Sequence, residues 1–129
     1  MIAFLRDSLY IGFGGFFGAV SRFGIGRVGG KIITTFPIST LFVNVTGSFV
    51  LAFISYSVLY GKTINPELRN FITIGFIGAY TTMSTFSYET IRLLENREYG
   101  LFGLNFVLNT GLCLLAIIAG RELTIVFTK

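Results

Sequence analysis

Charged residues cut this chain into long apolar runs. Ile32 to Gly61 holds thirty residues without a charge, Asn70 to Tyr88 nineteen, and Tyr99 to Gly120 twenty-two. About 20 apolar residues carry a helix across the hydrocarbon core of a bilayer, so each run predicts one crossing. The first segment is weaker, because Asp7 precedes the uncharged Ser8 to Ser21 while Arg22 and Arg27 follow it. A span over 2–28 still works if those arginines snorkel or face protein. Cleavage after Ala19-Val20-Ser21 as a signal peptide fits poorly, since Asp7 and four glycines interrupt the segment. The expectation is an all-α integral membrane protein, one domain over 1–129, with four transmembrane helices at about 2–28, 36–60, 66–95 and 99–127.

The helix ends carry local signals. Asn65 before Pro66 reads as an N-cap followed by proline in the first turn, and Glu67 suits the positive end of the dipole. Gly14/Gly18 and Gly26/Gly30 have the spacing of close helix contact.

Composition narrows the class. Of 129 residues, 12% are charged and 53% hydrophobic, with 16 glycines, 15 phenylalanines and no histidine or tryptophan. A soluble domain of this size has too much surface to bury that apolar content. Without histidine, and with Cys113 alone, no His/Cys metal cluster or intrachain disulfide can form. No nucleophile–base pair or metal motif points to an enzyme. The net charge of +4 reads as loops at a lipid surface, not a nucleic-acid footprint.

Loop charges are balanced. With four spans, one side carries Arg6, Lys62, Arg69, Arg121 and Lys129, and the other Arg22, Arg27, Lys31, Arg92 and Arg97. Lys/Arg bias normally sets orientation; here it is zero. Insertion in both orientations, followed by antiparallel dimerisation, is the reading.

The spans contain polar side chains but no deep carboxylate. In the third, Gly75, Gly78 and Tyr80 give way to Thr81-Thr82-Met83-Ser84-Thr85-Phe86-Ser87, with Glu89 about two turns beyond the midpoint. Glycine and β-branched threonine are poor helix formers, so either the helix breaks near the midplane or a continuous Ser/Thr-rich helix bonds to its neighbours. A break would expose carbonyls for a cation and N–H groups for an anion. Thr40, Asn44 and Ser48 share one face of the second helix, and Asn105, Asn109 and Cys113 one face of the fourth. Neutral donors without buried carboxylates suit an anion path.

Three of these segments resemble one family. Gly15-Phe16-Phe17-Gly18-Ala19-Val20-Ser21-Arg22, Ser39-Thr40-Leu41-Phe42-Val43-Asn44-Val45-Thr46-Gly47 and Gly78 to Glu89 are similar, in order, to the motifs of the Fluc (CrcB) fluoride channels. The resemblance implies a passive fluoride-selective channel in the inner (plasma) membrane, multi-pass, an antiparallel homodimer in lipid with two pores. It also implies a structural sodium ion at the dimer centre, held by main-chain carbonyls of Gly78 and Thr81. Asn44 matches the pore asparagine and Phe86 the second phenylalanine of the aromatic box. Ser84, Thr85 and Ser87 fall on a hydroxyl track, Glu89 on a glutamate of the conducting path, and Arg22 on a family arginine. Thr40 and Asn109 extend the polar path from the neighbouring helices. Met83 stands in place of the first box phenylalanine, and Cys113 in place of a serine. A small drug/proton antiporter of dual topology, or a non-transporting assembly factor, are the rival readings.

Overall fold

The computed structural model describes residues 1–128 of one chain, and its regular elements are all helical. Lys129, one of the loop charges, lies outside the described residues. Helix α1 covers Ile2–Ile32 and α2 Ile38–Leu59. The third run is segmented: α3 over Pro66–Asn70, a π-helical stretch over Phe71–Ile77, and a single turn, α4, over Gly78–Tyr80. After Thr81 and Thr82 the chain resumes as α5, Met83–Glu95, and ends in α6, Tyr99–Thr128.

The termini follow local chemistry. α1 runs past Val28 to Ile32 because Gly29 and Gly30 do not end it. The Gly29 carbonyl accepts the Ile33 N–H at 2.9 Å, and Lys31 in the last turn complements the dipole. α2 starts only after Pro37, which has no N–H to offer. Asn65 caps α3, its side chain accepting the Leu68 N–H at 3.1 Å with Pro66 in the first turn. Arg6 reaches Glu67 at 2.8 Å and ties the start of α1 to the start of α3.

Glycine decides how closely the helices approach. A Cβ on Gly14 would lie 2.2 Å from the Phe71 carbonyl oxygen, and one on Gly18 2.1 Å from that of Phe76. Gly75 faces the Ile11 carbonyl from the other side, so the π-helical stretch and α1 touch backbone to backbone. Gly26 and Gly30 meet nothing within 4 Å, so only the first of the two glycine pairs packs inside the subunit. α2 and α6 form the most extensive helix pair, with Gly120 against the Phe49 carbonyl and Thr124 donating to that of Phe53 at 3.1 Å.

α2 and α6 are long and apolar enough to cross a membrane. The exterior is apolar too: Phe4, Phe13, Phe16, Phe23, Phe106 and Phe127 are each more than half exposed. A surface of that kind is covered by lipid or protein, not water.

Closeness of the α1 contact gives a direct test. Gly18→Ala forces a methyl group into a backbone carbonyl, an overpacking worth about 1–3 kcal/mol or more. We expect it to lower the melting temperature of detergent-solubilised protein by several degrees. Gly12→Ala, in open space on the same helix, should not; equal melting temperatures would contradict this packing.

Candidate functional site

The polar side chains converge where helix is absent. Thr81 (φ −80°, ψ 158°) and Thr82 (φ −153°, ψ 116°) are extended, so the helical ladder stops between α4 and α5. Peptide groups at such an interruption must find other partners when water is excluded.

Asn44, one helix away, supplies them. Its Oδ1 accepts the Thr82 N–H at 2.8 Å, and its Nδ2 donates to the Thr82 carbonyl at 3.1 Å. One side-chain amide therefore satisfies both polar groups of one residue. Thr82 in turn caps α5, its Oγ1 accepting the Thr85 N–H at 3.1 Å. A second clamp holds α4, where Tyr80, stacked on Phe76 and buried, meets the Thr46 hydroxyl at 3.0 Å.

These bonds redirect the backbone. The Thr82 N–H would otherwise continue the helix onto the Gly78 carbonyl, and the Thr85 N–H onto that of Thr81. Asn44 Oδ1 takes the first and Thr82 Oγ1 the second. Both carbonyls lose their normal helical partners.

Donors predicted to be free are mostly committed. The second Nδ2 hydrogen of Asn44 goes to Asn109 Oδ1 at 3.1 Å, and Asn109 Nδ2 goes to Asn105 Oδ1 at 2.9 Å. The Ser87 hydroxyl donates to the Met83 carbonyl at 2.9 Å. Thr82, Ser84 and Thr85 form a hydroxyl cluster: Thr82 donates to Thr85 at 3.0 Å and lies 3.2 Å from Ser84. In that arrangement the Thr85 hydroxyl hydrogen is left for another acceptor.

Two cavities meet at Thr82, which lines both. The smaller, about 410 Å³, is walled by Asn44, Thr81, Met83, Phe86, Asn109 and Cys113. The larger, about 980 Å³, contains Thr40, Thr85, Glu89, Arg22, Arg27 and Arg92. Three arginines give that cleft a positive balance, although Glu89 Oε2 is buried there without a hydrogen-bond partner among the described residues. Thus Asn44, Met83, Phe86 and Asn109 are brought together in one space, and Thr40, Thr85 and Glu89 in the other. Ser84, Ser87 and Gly78 line neither and are exposed.

Met83 and Phe86 differ in setting. Met83 is 72% exposed and Phe86 5%, with the Phe86 ring centroid 6.4 Å from that of Phe106 on α6. Reasoning from sequence missed Thr82, Thr90 and Phe106 as parts of this site. Thr90 carried a signal in hindsight, one turn beyond Phe86 on the same face.

An all-helical membrane protein, with a neutral polar cluster buried at a helix interruption, is the class this architecture defines. Comparison with known proteins takes it further. Residues 9–121 match the family described as CrcB-like protein, Camphor Resistance (CrcB). A protein of Methanococcus maripaludis named fluoride-specific ion channel FluC is 46% identical over 125 residues, covering 95% of this chain and 99% of that one. Proteins of the same name from Campylobacter jejuni and Koribacter versatilis are 45% and 38% identical, over 87% and 92% of this chain and 92% and 95% of their own lengths. The chain belongs to the CrcB family.

Asn44 is the residue whose replacement reports on the interruption. Asn44→Asp puts a carboxylate oxygen against two acceptors, the Thr82 carbonyl and Asn109 Oδ1. Leaving buried groups unsatisfied costs about 1–3 kcal/mol, so the variant should melt several degrees below the parent. An unchanged melting temperature would show that these bonds do not hold the site.

Proposed function

We propose that the protein is a passive, fluoride-selective channel that lets fluoride leave the cytoplasm and so lowers its toxicity. The observation that carries this reading is near full-length similarity to proteins named fluoride-specific ion channels. The Thr82/Ser84/Thr85 hydroxyl cluster and a cleft rich in arginine are its support in geometry. The antiporter reading needs a proton-carrying carboxylate within the first span. α1 offers only Asp7 near its start, 3.7 Å from Arg6.

The assembly in this proposal is an antiparallel homodimer. Each subunit crosses the inner membrane four times, and the third crossing breaks at Thr81–Thr82 near the midplane. Balanced loop charges support insertion both ways, and the exposed α5 face with Met83, Ser84, Ser87 and Tyr88 is open to a second copy. Main-chain carbonyls of Gly78 and Thr81 would hold a sodium ion between the subunits. Their donor chemistry fits, because neutral backbone oxygens freed at a helix break suit a hard monovalent cation. Bound there, the ion supplies fixed positive charge beside the anion path.

Conduction then rests on replacing water. Fluoride is small and strongly hydrated, so it needs N–H and O–H donors along its route. The Thr82/Ser84/Thr85 cluster can reorient toward it, because hydroxyl hydrogens rotate about a single bond. Phe86 offers the positive edge of its ring quadrupole. Asn44 contributes by holding the interruption in shape, since both its amide hydrogens are engaged. Thr40, Glu89 and Arg22 belong to the wider mouth, where arginine raises the local anion concentration.

Purified protein in liposomes loaded with fluoride should release it once a potassium ionophore supplies counter-charge, with no proton gradient and little chloride movement. Fluoride that stays trapped would overturn the proposal.

Side chains at the aromatic station give a ranking. Met83→Phe should preserve or modestly raise fluoride flux, because the exposed thioether position tolerates a ring. Phe86→Ile should reduce flux more than Met83→Ile, since it removes the only aromatic of the pair. Efflux at matched incorporation checks this, and the reverse order would reassign the two residues.

A further inference from the structure

Four polar residues are buried at and behind the interruption, and the hydrogen bonds through them run in one direction. Asn105 is 0% exposed, Asn109 4%, Thr90 5% and Thr82 7%. From Asn44 the donors run outward: Asn44 Nδ2 to Asn109 Oδ1 at 3.1 Å, then Asn109 Nδ2 to Asn105 Oδ1 at 2.9 Å. Asn105 Nδ2 continues to Thr90 Oγ1 at 2.9 Å, and Thr90 Oγ1 donates to the Phe86 carbonyl at 2.6 Å. The chain crosses from α2 to α6 and ends on α5.

Both ends of this chain are fixed by backbone. At one end the Thr82 N–H can only donate and its carbonyl only accept, which sets the Asn44 amide. At the other, the single Thr90 hydrogen is used on a carbonyl, so its oxygen can only accept from Asn105. A primary amide has a donor side and an acceptor side. With both termini set, every amide between them has one permitted orientation. Reversing any one would place N–H₂ against N–H₂ or oxygen against oxygen.

We propose that Thr90 and Asn105 are positioning residues. They hold the Asn109 amide oxygen turned toward Asn44 and so brace the Asn44 amide in place on the Thr82 peptide, keeping the Thr82 N–H off the Gly78 carbonyl. Neither touches the transported ion. Their effect on transport rests on the channel reading above, but their effect on the Thr82 peptide does not.

Two measurements test this. The first is hydrogen exchange of the Thr82 amide in detergent-solubilised protein. Thr90→Val removes the acceptor at nearly constant volume and should speed that exchange about tenfold, the effect of leaving a buried donor without its partner. Thr90→Ser keeps the oxygen and should restore the parent rate, while amides in the middle of α2 stay unchanged throughout. The second is fluoride efflux at matched incorporation, which should fall with Thr90→Val, recover with Thr90→Ser, and fall no further in a Thr90→Val, Asn105→Leu double variant. Residues acting as one unit are non-additive in this way. Thr90→Ala, lacking the same oxygen, carries both tests if the valine variant does not fold. Parent-like Thr82 exchange in the folded variant overturns the proposal, as do losses that multiply in the double variant. Fast Thr82 exchange in a protein whose parent form passes no fluoride would support the positioning role and reject the channel.

Discussion

Everything at the centre of this protein follows from one contact, the Asn44 amide bridging the peptide groups of Thr82. A helix that stops inside an apolar layer leaves N–H and C=O groups with no water to meet them. Asn44 answers with an acceptor at 2.8 Å and a donor at 3.1 Å on the same residue. A primary amide puts acceptor and donor on separate atoms and keeps a second hydrogen for Asn109, whereas a carboxylate has no donor and a hydroxyl has a single hydrogen. Once Thr82 is held extended, its hydroxyl is placed to cap α5 and its N–H is withdrawn from Gly78. Helix end, helix start and carbonyls released from the helical ladder therefore arise together.

That contact needs rigid surroundings. The π-helical stretch before it is pressed onto α1 through Gly14, Gly18 and Gly75, where carbonyl oxygens occupy the space of absent side chains. On the other side α2 is locked to α6 through Gly120 and Thr124. Small residues give close backbone approach where apolar burial contributes little to holding helices together. Tyr80 on Thr46 then fixes α4 one turn before the interruption. Asn44 is carried on α2, whose close packing on α6 sets its reach to Thr82.

Helical class was legible in the sequence because charge-free runs of this length fit little besides helices across a bilayer, and the family because three motifs stand in order. Cap chemistry at Asn65 and Pro66 could be read directly, since it depends on adjacent residues only. Other features depend on partners distant in the chain. Nothing local distinguishes Gly14, packed on a carbonyl, from Gly26, which meets open space. The stripe Asn105–Asn109 announced polarity on one face of α6. It did not say that Thr90, fifteen residues earlier, receives the Asn105 hydrogen, nor that Asn109 spends its own on Asn105. Thr82 looked like one hydroxyl among several, although it is the residue on which both cavities and both half-helices meet.

The distinction between amides and hydroxyls bears on how an anion passes. Turning the Asn44 amide means breaking its bonds to Thr82 and Asn109 together, and each of those is tied to further partners. Turning the hydroxyl of Ser84 or Thr85 moves one hydrogen about one bond and leaves the heavy atoms in place. A fast conductor needs ligands that bind during dehydration and let go afterwards. Fixed amides are suited to shaping the passage, and rotating hydroxyls to accompanying the ion along it. In the proposed channel these two jobs fall on separate residues, with the amides packed between α2, α5 and α6 and the hydroxyls at the exposed start of α5. Selectivity can then be set by a rigid frame while the contacts that move with the ion remain shallow enough for it to leave.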